Sequence, residues 1–462
     1  MRLWANLTWH VDIHLQTTQS LFNAGRNLSY STSTALLYWR LYALGQQDYH
    51  SAWAVCLLSY SGNTSFPLDS YMVTVPVAKT ITALLQWPAA WACSPELLRQ
   101  TQLWIFSIGT FYILVGLFRL LRHDNPSLVA FSLSLYPVLF FFKYLYYTDV
   151  GSVFYVLLAY RQALRHRTTS SALAAGMSIW FRQTNAIWTA FVMAVVLVRT
   201  VLQSPWTTVS ERTLLDQSVN PFKIVWCLLK AGLRQPLYVL KQIWCFLAVL
   251  SMFVGFVFWN GGIVLGDKAN HQVGMHVPQV FYFVSFACFF LIPHFRWSLI
   301  QQPAWTARSI LVTLLLLAGI LAGVHYGTLE HPFLLSDNRH YSFYVWKNIF
   351  RQHIAVRYVL TPVYLVCFVF MKRLMDLNEQ PLWWQLLFAG ATALSLVPSP
   401  LLEFRYFIIP YLIYRIHVRA RSWRVGMEIV LFMSINAVTL WMFLYRSFEW
   451  KQEPGVKQRF LW

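Results

Sequence analysis

Charge is what this 462-residue sequence has least of: Asp, Glu, Lys and Arg together make up 11% of it, against 57% hydrophobic residues. A soluble domain carries charge at about a quarter of its positions. The chain therefore has too little polar surface to wrap a water-soluble core of its length. Acid is scarcest, with 17 Asp and Glu against 36 Lys and Arg and a net charge of +19. No basic stripe interleaved with aromatics lies outside the apolar runs, which argues against nucleic acid as a partner. The six cysteines (Cys56, Cys93, Cys227, Cys245, Cys288, Cys367) form no C-x-x-C pair. Most sit in apolar runs, where the thiol packs as a small hydrophobe; Cys56 and Cys93 would pair only if that region faces an oxidising lumen. The opening stretch MRLWANLTWHVDIHLQTTQ has no continuous apolar core and reads as neither a signal peptide nor a first span. Sequons at Asn6, Asn27 and Asn63 would be used only on a luminal face.

Long apolar runs are what is present. A helix needs about 20 mostly apolar residues to cross a bilayer. Leu103 to Leu121, Ala186 to Leu202, Ile243 to Leu265, Ile310 to Gly323 and Met427 to Leu444 meet that description. The chain reads as an all-α polytopic membrane protein, and a hydropathy walk gives about twelve spans. Two kinds of connection alternate between them. Arg119 to His123, Arg161 to Arg167, Pro293 to Arg308, Lys372 to Glu379 and His417 to Arg424 are basic and otherwise bland. Residues 203–241 join them as a long loop. Short basic loops stay in the cytosol, so these six face it.

The alternate connections then fall on the opposite side. They read YYTDVGS (146–152), FRQTN (181–185), GGIVLGDKANHQVGMHVPQ (261–279), LSDNRHYSFYVWKNIFRQH (335–353) and PSPLLEFRY (398–406). Nearly every mixed acid–base–amide cluster sits in this set, which points to a functional site at the extracytoplasmic membrane surface. Asp337, Asn338, Arg339 and His340 are adjacent there, followed by interfacial aromatics. A solvated loop beside an aromatic belt is the plain alternative for any one of them.

Several of these segments resemble one family. FFKYLYYTDVGSVF, WFRQTNAIW, NGGIVLGDKANH, HVPQVFYFVSF, LLSDNRHYSFYVWKNIF, LLEFRYFIIPYLIYR and the terminal QRFLW are similar, in order, to motifs of the endoplasmic-reticulum dolichyl-phosphate-glucose-dependent α-1,2-glucosyltransferases. Those enzymes add the third, terminal glucose to the lipid-linked oligosaccharide used for protein N-glycosylation. The resemblance runs from about Leu103 to the end, and implies a GT-C-like fold with luminal loops. It divides the chain into a divergent luminal segment, 1–102, and a multi-span glucosyltransferase domain, 103–462, with 203–241 cytosolic. The family's opening span and luminal Tyr-Met-Asp-Glu stretch find no counterpart in residues 1–102. LDSYMVTVPVAKT (68–80) is faintly similar to a later family segment through Asp69, Thr74 and Pro76.

The resemblance implies dolichyl phosphate glucose as donor, a dolichyl-diphosphate oligosaccharide as acceptor, membrane lipid as surroundings, and neither cofactor nor metal. A β-linked donor and an α-linked product imply one inverting displacement, with a carboxylate as general base and cations stabilising the leaving phosphate. Asp149, Asp69 and Glu403 are candidates for the base; Asp149 has a helix N-cap as its plain alternative. Arg182, Arg339 and Arg405 are candidates for the phosphate, since a guanidinium fork binds its oxygens bidentately. Their alternative is a local ion pair, Arg339 with Asp337 and Arg405 with Glu403. Gln183, Asp267, His271, Asp337, Asn338 and His340 complete the expected substrate-binding set. His340 has a bond to a loop carbonyl as its alternative; Asn338, Gln183 and Asn185 have helix capping. Asp267, His271 and His276, or His331, Asp337 and His340, could in principle hold a metal, but neither has a strong zinc pattern. The competing functions are an inactive relative, a channel- or transport-associated membrane protein, and another dolichyl-phosphate-sugar transferase.

Overall fold

The computed structural model describes residues 101–145, 147–218, 220–263, 274–301, 306–451 and 453–462. Asp69, Asp267, His271, the three sequons and the Cys56–Cys93 pair lie outside the described residues.

Helices dominate. A π-helical lead-in, Thr101–Ser107, opens α1 (Ile108–Leu120), and α2 (Pro126–Ser134) and α3 (Pro137–Phe142) follow. Next come α4 (Thr148–Leu164), α5 (Thr168–Phe181), α6 (Asn185–Gln203), α7 (Val209–Gln217), α8 (Pro221–Leu233) and α9 (Pro236–Asn260). Beyond them lie α10 (Pro278–Phe290), α11 (Ala307–Gly327), α12 (Pro332–Ser336), α13 (Tyr341–Val345), α14 (Ile354–Val359), α15 (Thr361–Leu377) and α16 (Leu382–Leu396). The last are α17 (Ile408–Arg415), α18 (Ser422–Tyr445) and a hairpin of β1 (Phe448–Trp450) and β2 (Glu453–Gln458). Proline opens many of these helices, where its missing N–H would have no partner in any case. Gly261, at φ 67°, closes α9 in the left-handed conformation.

Among the described residues, six helical segments are long and apolar enough to cross a membrane: Thr101–Leu120, Asn185–Gln203, Pro236–Asn260, Ser309–Gly327, Ile354–Leu377 and Ser422–Tyr445. Five coincide with the runs read from the sequence, the third ending at Asn260. The remaining one, Ile354–Leu377, crosses the α14–α15 junction. α10 and α16 are apolar but shorter, so helix length alone does not yield about twelve. Residues 203–241 are not an irregular loop. They carry α7, which starts on a capping box between Thr208 and Glu211, then α8 and the first turn of α9.

Packing inside lipid depends on close approach, because lipid tails compete with apolar side chains for the same surface. α5 supplies small buried residues for that purpose: Ser171, Ala172, Ala174, Ala175 and Ser178. Ser171 Oγ donates across to the Ala159 carbonyl of α4 at 2.6 Å. Gly151 of α4 leaves room for the Phe181 ring, which a Cβ there would overlap.

The connections segregate by composition. His123 bonds the Ile416 carbonyl (3.0 Å), Tyr160 bonds His417 (2.8 Å), and Arg424 donates to the carbonyls of Pro293 and Phe295. Arg373 donates to Leu299 O, and the Arg419 amide donates to Asn378 Oδ1. The basic turns thus gather at one end of the helices. Buried below them, Arg415 makes two bonds to Glu428 (2.8 and 2.9 Å), which also takes Ser132 Oγ at 2.7 Å and His294 Nε2 at 3.2 Å. At the other end Gln102 donates to the Phe142 carbonyl (2.9 Å), and the Gly274 and His276 amides donate to the carbonyls of Pro398 and Val397. Trp346 Nε1 donates to Glu330 there (2.7 Å).

Candidate active site

At this second end the turns after α3, α5 and α16 converge. Asp149 lies in the first turn of α4, where the helix dipole favours a carboxylate. Tyr147, not Asp149, is the N-cap residue. The Asp149 side chain is buried and its Oδ1 accepts from Arg182 Nη1, just beyond α5. The two helices are pinned by Asn185 Nδ2, which donates to Ser152 Oγ (2.7 Å) and Ser178 O (2.8 Å). Asp149 Oδ2 is buried and accepts no hydrogen bond from the described residues, but Arg405 Nη1 stands 4.0 Å from it.

Arg405 is donated by a 3₁₀ turn, Phe404–Phe407, and its Nε pairs with Glu403 Oε2. Its guanidinium lies over the Tyr147 and Tyr406 rings, each 5.7 Å from the centroid, and Arg182 lies over Tyr406 at 5.2 Å. Burial alone would push the Glu403 carboxyl up; Arg405 overcomes that, with His340 and Arg182 adding to it, and holds it at about 2. Burial pushes the Tyr406 phenol up, and Glu403 pushes it further. The result is two carboxylates and two guanidiniums, drawn from three distant segments and floored by tyrosines.

The Asp337–His340 segment abuts this cluster. Arg339 Nε and Nη2 both bond Asp337, at 3.0 and 2.8 Å to its two oxygens, and the Arg339 amide donates to the same carboxylate. Burial opposes ionisation of Asp337, but its bonds to Arg339 hold it below the ordinary carboxylate range. Arg339 stacks 4.9 Å from the Trp450 ring, and Trp450 Nε1 donates to Asn338 Oδ1 at 2.7 Å. His340 Nδ1 meets the Trp462 main-chain oxygen at 3.0 Å, and Leu461 bridges Arg339 and Tyr341 through main-chain bonds of 2.8 and 3.0 Å. Trp462 in turn packs edge-on to Phe404, 6.0 Å between centroids. The chain's last residues therefore clamp the DNRH turn against the 403–406 turn.

The structure so brings together Asp149, Arg182, Glu403 and Arg405, with Asp337, Asn338, Arg339 and His340 alongside. Gln183 stands in the turn beside Arg182. The ion-pair alternatives hold for both Arg339 and Arg405, and the carbonyl alternative holds for His340. Asn185 is used internally between α4 and α5. His276 Nδ1 bonds the Pro400 carbonyl at 3.0 Å, and His331 caps α12 through Phe333 N–H. Tyr147 and Tyr406 were within quoted motifs yet carried no signal of a role. Trp450 lay outside every motif.

A family model described as the DIE2/ALG10 family matches residues 64–416. That match starts well upstream of Leu103, taking in LDSYMVTVPVAKT. A Mus musculus protein named Dol-P-Glc:Glc(2)Man(9)GlcNAc(2)-PP-Dol alpha-1,2-glucosyltransferase is 36% identical over 416 residues, covering 85% of this chain and 86% of its own length. A Homo sapiens protein of the same name is 34% identical over 414 residues, with 85% and 86% covered. An Arabidopsis thaliana protein of that name is 32% identical over 429 residues, with 80% and 83% covered. No solved structure matches the chain.

Proposed function

This chain belongs to the DIE2/ALG10 family, and from that premise we infer that it is the glucosyltransferase its relatives are named for. It moves glucose from dolichyl phosphate glucose, in α-1,2 linkage, onto the diglucosylated dolichyl-diphosphate oligosaccharide, completing the precursor of protein N-glycosylation. Its place is the endoplasmic-reticulum membrane, as a multi-pass GT-C-like protein of about twelve spans with the site in the lumen. Segregation of the basic turns from the Asp149–Arg405 end supports that orientation, by the rule that basic loops stay cytosolic.

The observation that carries the mechanism is the convergence of Asp149, Arg182, Glu403 and Arg405. The acceptor hydroxyl attacks the anomeric carbon from the face opposite the phosphate. A carbon–oxygen bond to the acceptor forms as the bond to phosphate breaks, and configuration inverts. The hydroxyl proton passes to Asp149, whose Oδ2 has no hydrogen-bond donor among the described residues. The electron pair leaves with dolichyl phosphate, and the forks of Arg405 and Arg182 meet its added charge. Glu403 holds Arg405 in place. Arg339, committed to Asp337 and Trp450, shapes the wall of the site.

The test is transfer by the purified chain, in lipid, from dolichyl phosphate glucose to the diglucosylated acceptor, with linkage analysis of the product. An α-1,2-linked glucose, absent from Asp149→Asn, is the expected outcome. No transfer by folded wild-type chain would leave an inactive relative as the reading.

A further inference from the structure

The helices that carry the site at one end carry a second pocket at the other. It has a volume of about 300 Å³ and is lined by Tyr160, Arg199, Trp383, Trp384 and His417 among polar and aromatic groups. Asp149 and Tyr160 lie eleven residues apart on α4, about 16 Å along the helix, and Asn185 and Arg199 fourteen apart on α6, about 21 Å. α16 runs from Trp383 toward the 398–406 turn, and α17 from that turn toward His417. Four segments thus separate the pocket from the Asp149–Arg405 cluster, and it opens among the basic turns.

Three donors in its wall meet no acceptor among the described residues. Trp383 and His417 are 8% and 4% exposed, and Trp383 Nε1, His417 Nδ1 and Arg199 Nε are buried without such a partner, while Arg199 Nη2 reaches His166 Nε2 at 3.5 Å. The tautomer of His417 follows from its neighbours. Trp384 Nε1 donates to the Tyr160 hydroxyl at 3.1 Å, so that hydroxyl gives its own proton to His417 Nε2 at 2.8 Å. Nδ1 therefore carries the N–H. Burial, helped by His123 and Arg199, lowers the imidazole to about 3, so the ring stays neutral. Unpaired buried donors are costly to keep, and here three of them, one on the Arg199 guanidinium, belong to residues lining one cavity. Leu121, Leu164, Val195 and Leu202 form its apolar side. Among the described residues Asp216 is the one carboxylate in the lining, and it is exposed.

We propose that this pocket binds a phosphate monoester, held by Arg199, His417 and Trp383, at the face of the protein opposite the sugar-transfer site. Arg199 supplies the charge and the planar fork, and the two ring N–H groups supply directed donors. The apolar side accommodates the chain of a lipid monophosphate; a free phosphate would use only the donors.

The experiment uses the full chain in phosphatidylcholine nanodiscs, with Arg405→Gln in the background to weaken phosphate binding at the other cluster. Binding of dodecyl phosphate and of inorganic phosphate is read by tryptophan fluorescence, with size-exclusion as the check on folding. Arg199→Gln and His417→Phe should each weaken binding about tenfold, roughly the loss of one charge-assisted or buried hydrogen bond. Asp216→Asn, at an exposed position, should tighten it severalfold and guards against variants that fail to fold. Dodecyl phosphate binding more than about tenfold tighter than inorganic phosphate identifies a lipid occupant, since burial of the alkyl chain adds to the head; equal binding identifies a free phosphate. Affinities that ignore all three substitutions would overturn the proposal.

Discussion

Asp149→Asn is the substitution that tests the site most directly. The change keeps size and leaves the amide oxygen able to accept from Arg182, but removes the carboxylate proposed to take the acceptor's proton. Loss of a positioned general base costs about 10²–10⁴ in rate, so kcat should fall by that factor while KM for either substrate stays within a few fold. Stability will fall as well, since Asp149 and Arg182 are 4% and 20% exposed at the side chain. Breaking a buried pair costs about 3–5 kcal/mol. Arg182 keeps the Tyr406 face and some solvent, which places the loss toward the low end. The double variant Asp149→Asn with Arg182→Gln separates the two effects. It removes the stranded guanidinium, so thermal unfolding should recover in part, but it restores no base. Initial rates of labelled-glucose transfer, measured below the lowest melting temperature, are the assay. A single variant with kcat within threefold of wild type, or a double variant that regains activity, would refute Asp149 as the base.

Arg405→Lys keeps the charge but loses the planar fork, and should lower kcat/KM for the donor about tenfold to a hundredfold, the worth of one hydrogen bond to a charged group at about 1.5–3 kcal/mol. Glu403, held at about 2 against an ordinary 4.5, contributes stability that is present above pH 4.5 and lost as pH falls through 2. The difference amounts to about 3 kcal/mol, so acid unfolding of Glu403→Gln should lack that part of the wild-type pH dependence; parallel curves would contradict it. Glu428→Gln strands the fully buried Arg415 and should destabilise the chain by about 3–5 kcal/mol. Because the pair lies at the basic end, KM at permissive temperature should not change; an altered KM with an unchanged melt would reverse the assignment.

Five of the six long apolar helices among the described residues were legible because a bilayer imposes a length and a composition that a run such as Met427 to Leu444 cannot hide. The grouping of the turns was legible for a related reason: lysine and arginine mark one set of them, and those turns bond to one another. The site was half legible. Arg182, Glu403 and Arg405 stood out as charge in an apolar context, yet nothing local says that Arg405 reaches Asp149, 256 residues away. The C-terminal clamp was the least visible. QRFLW had been noticed as a motif, but its bonding to Arg339 and Tyr341 is main-chain pairing, which leaves no side-chain pattern to read. The same holds for Trp450, whose two contacts with Asn338 and Arg339 exist only after the hairpin folds back. In 203–241 the lysines and arginines mask a helical pattern: Ile224, Cys227 and Ala231, three and four residues apart, form the buried face of α8.

Scarcity of acid gives these pairings a consequence for binding. Each guanidinium near the site already has a carboxylate: Asp149 for Arg182, Glu403 for Arg405, Asp337 for Arg339. An unpaired guanidinium at the lipid boundary would be costly to hold between turnovers, and the carboxylates keep each fork in place. With its charges balanced, the proposed site would recruit an anionic donor by exchanging one partner of an arginine for phosphate, not by net attraction. Net attraction is screened by salt, with a Debye length near 10 Å at 0.1 M and about 3 Å at 1 M, whereas exchange between contacting partners is not. KM for dolichyl phosphate glucose in neutral lipid should therefore change less than about twofold between 0.1 and 0.5 M salt. Glu403→Gln leaves the cluster one positive charge in excess, so the same variant should bind donor more tightly at low salt and lose that advantage as salt rises. A wild-type KM that climbs steeply with salt would mean that the cluster works as a positive patch, and that the pairings are not the state the donor meets.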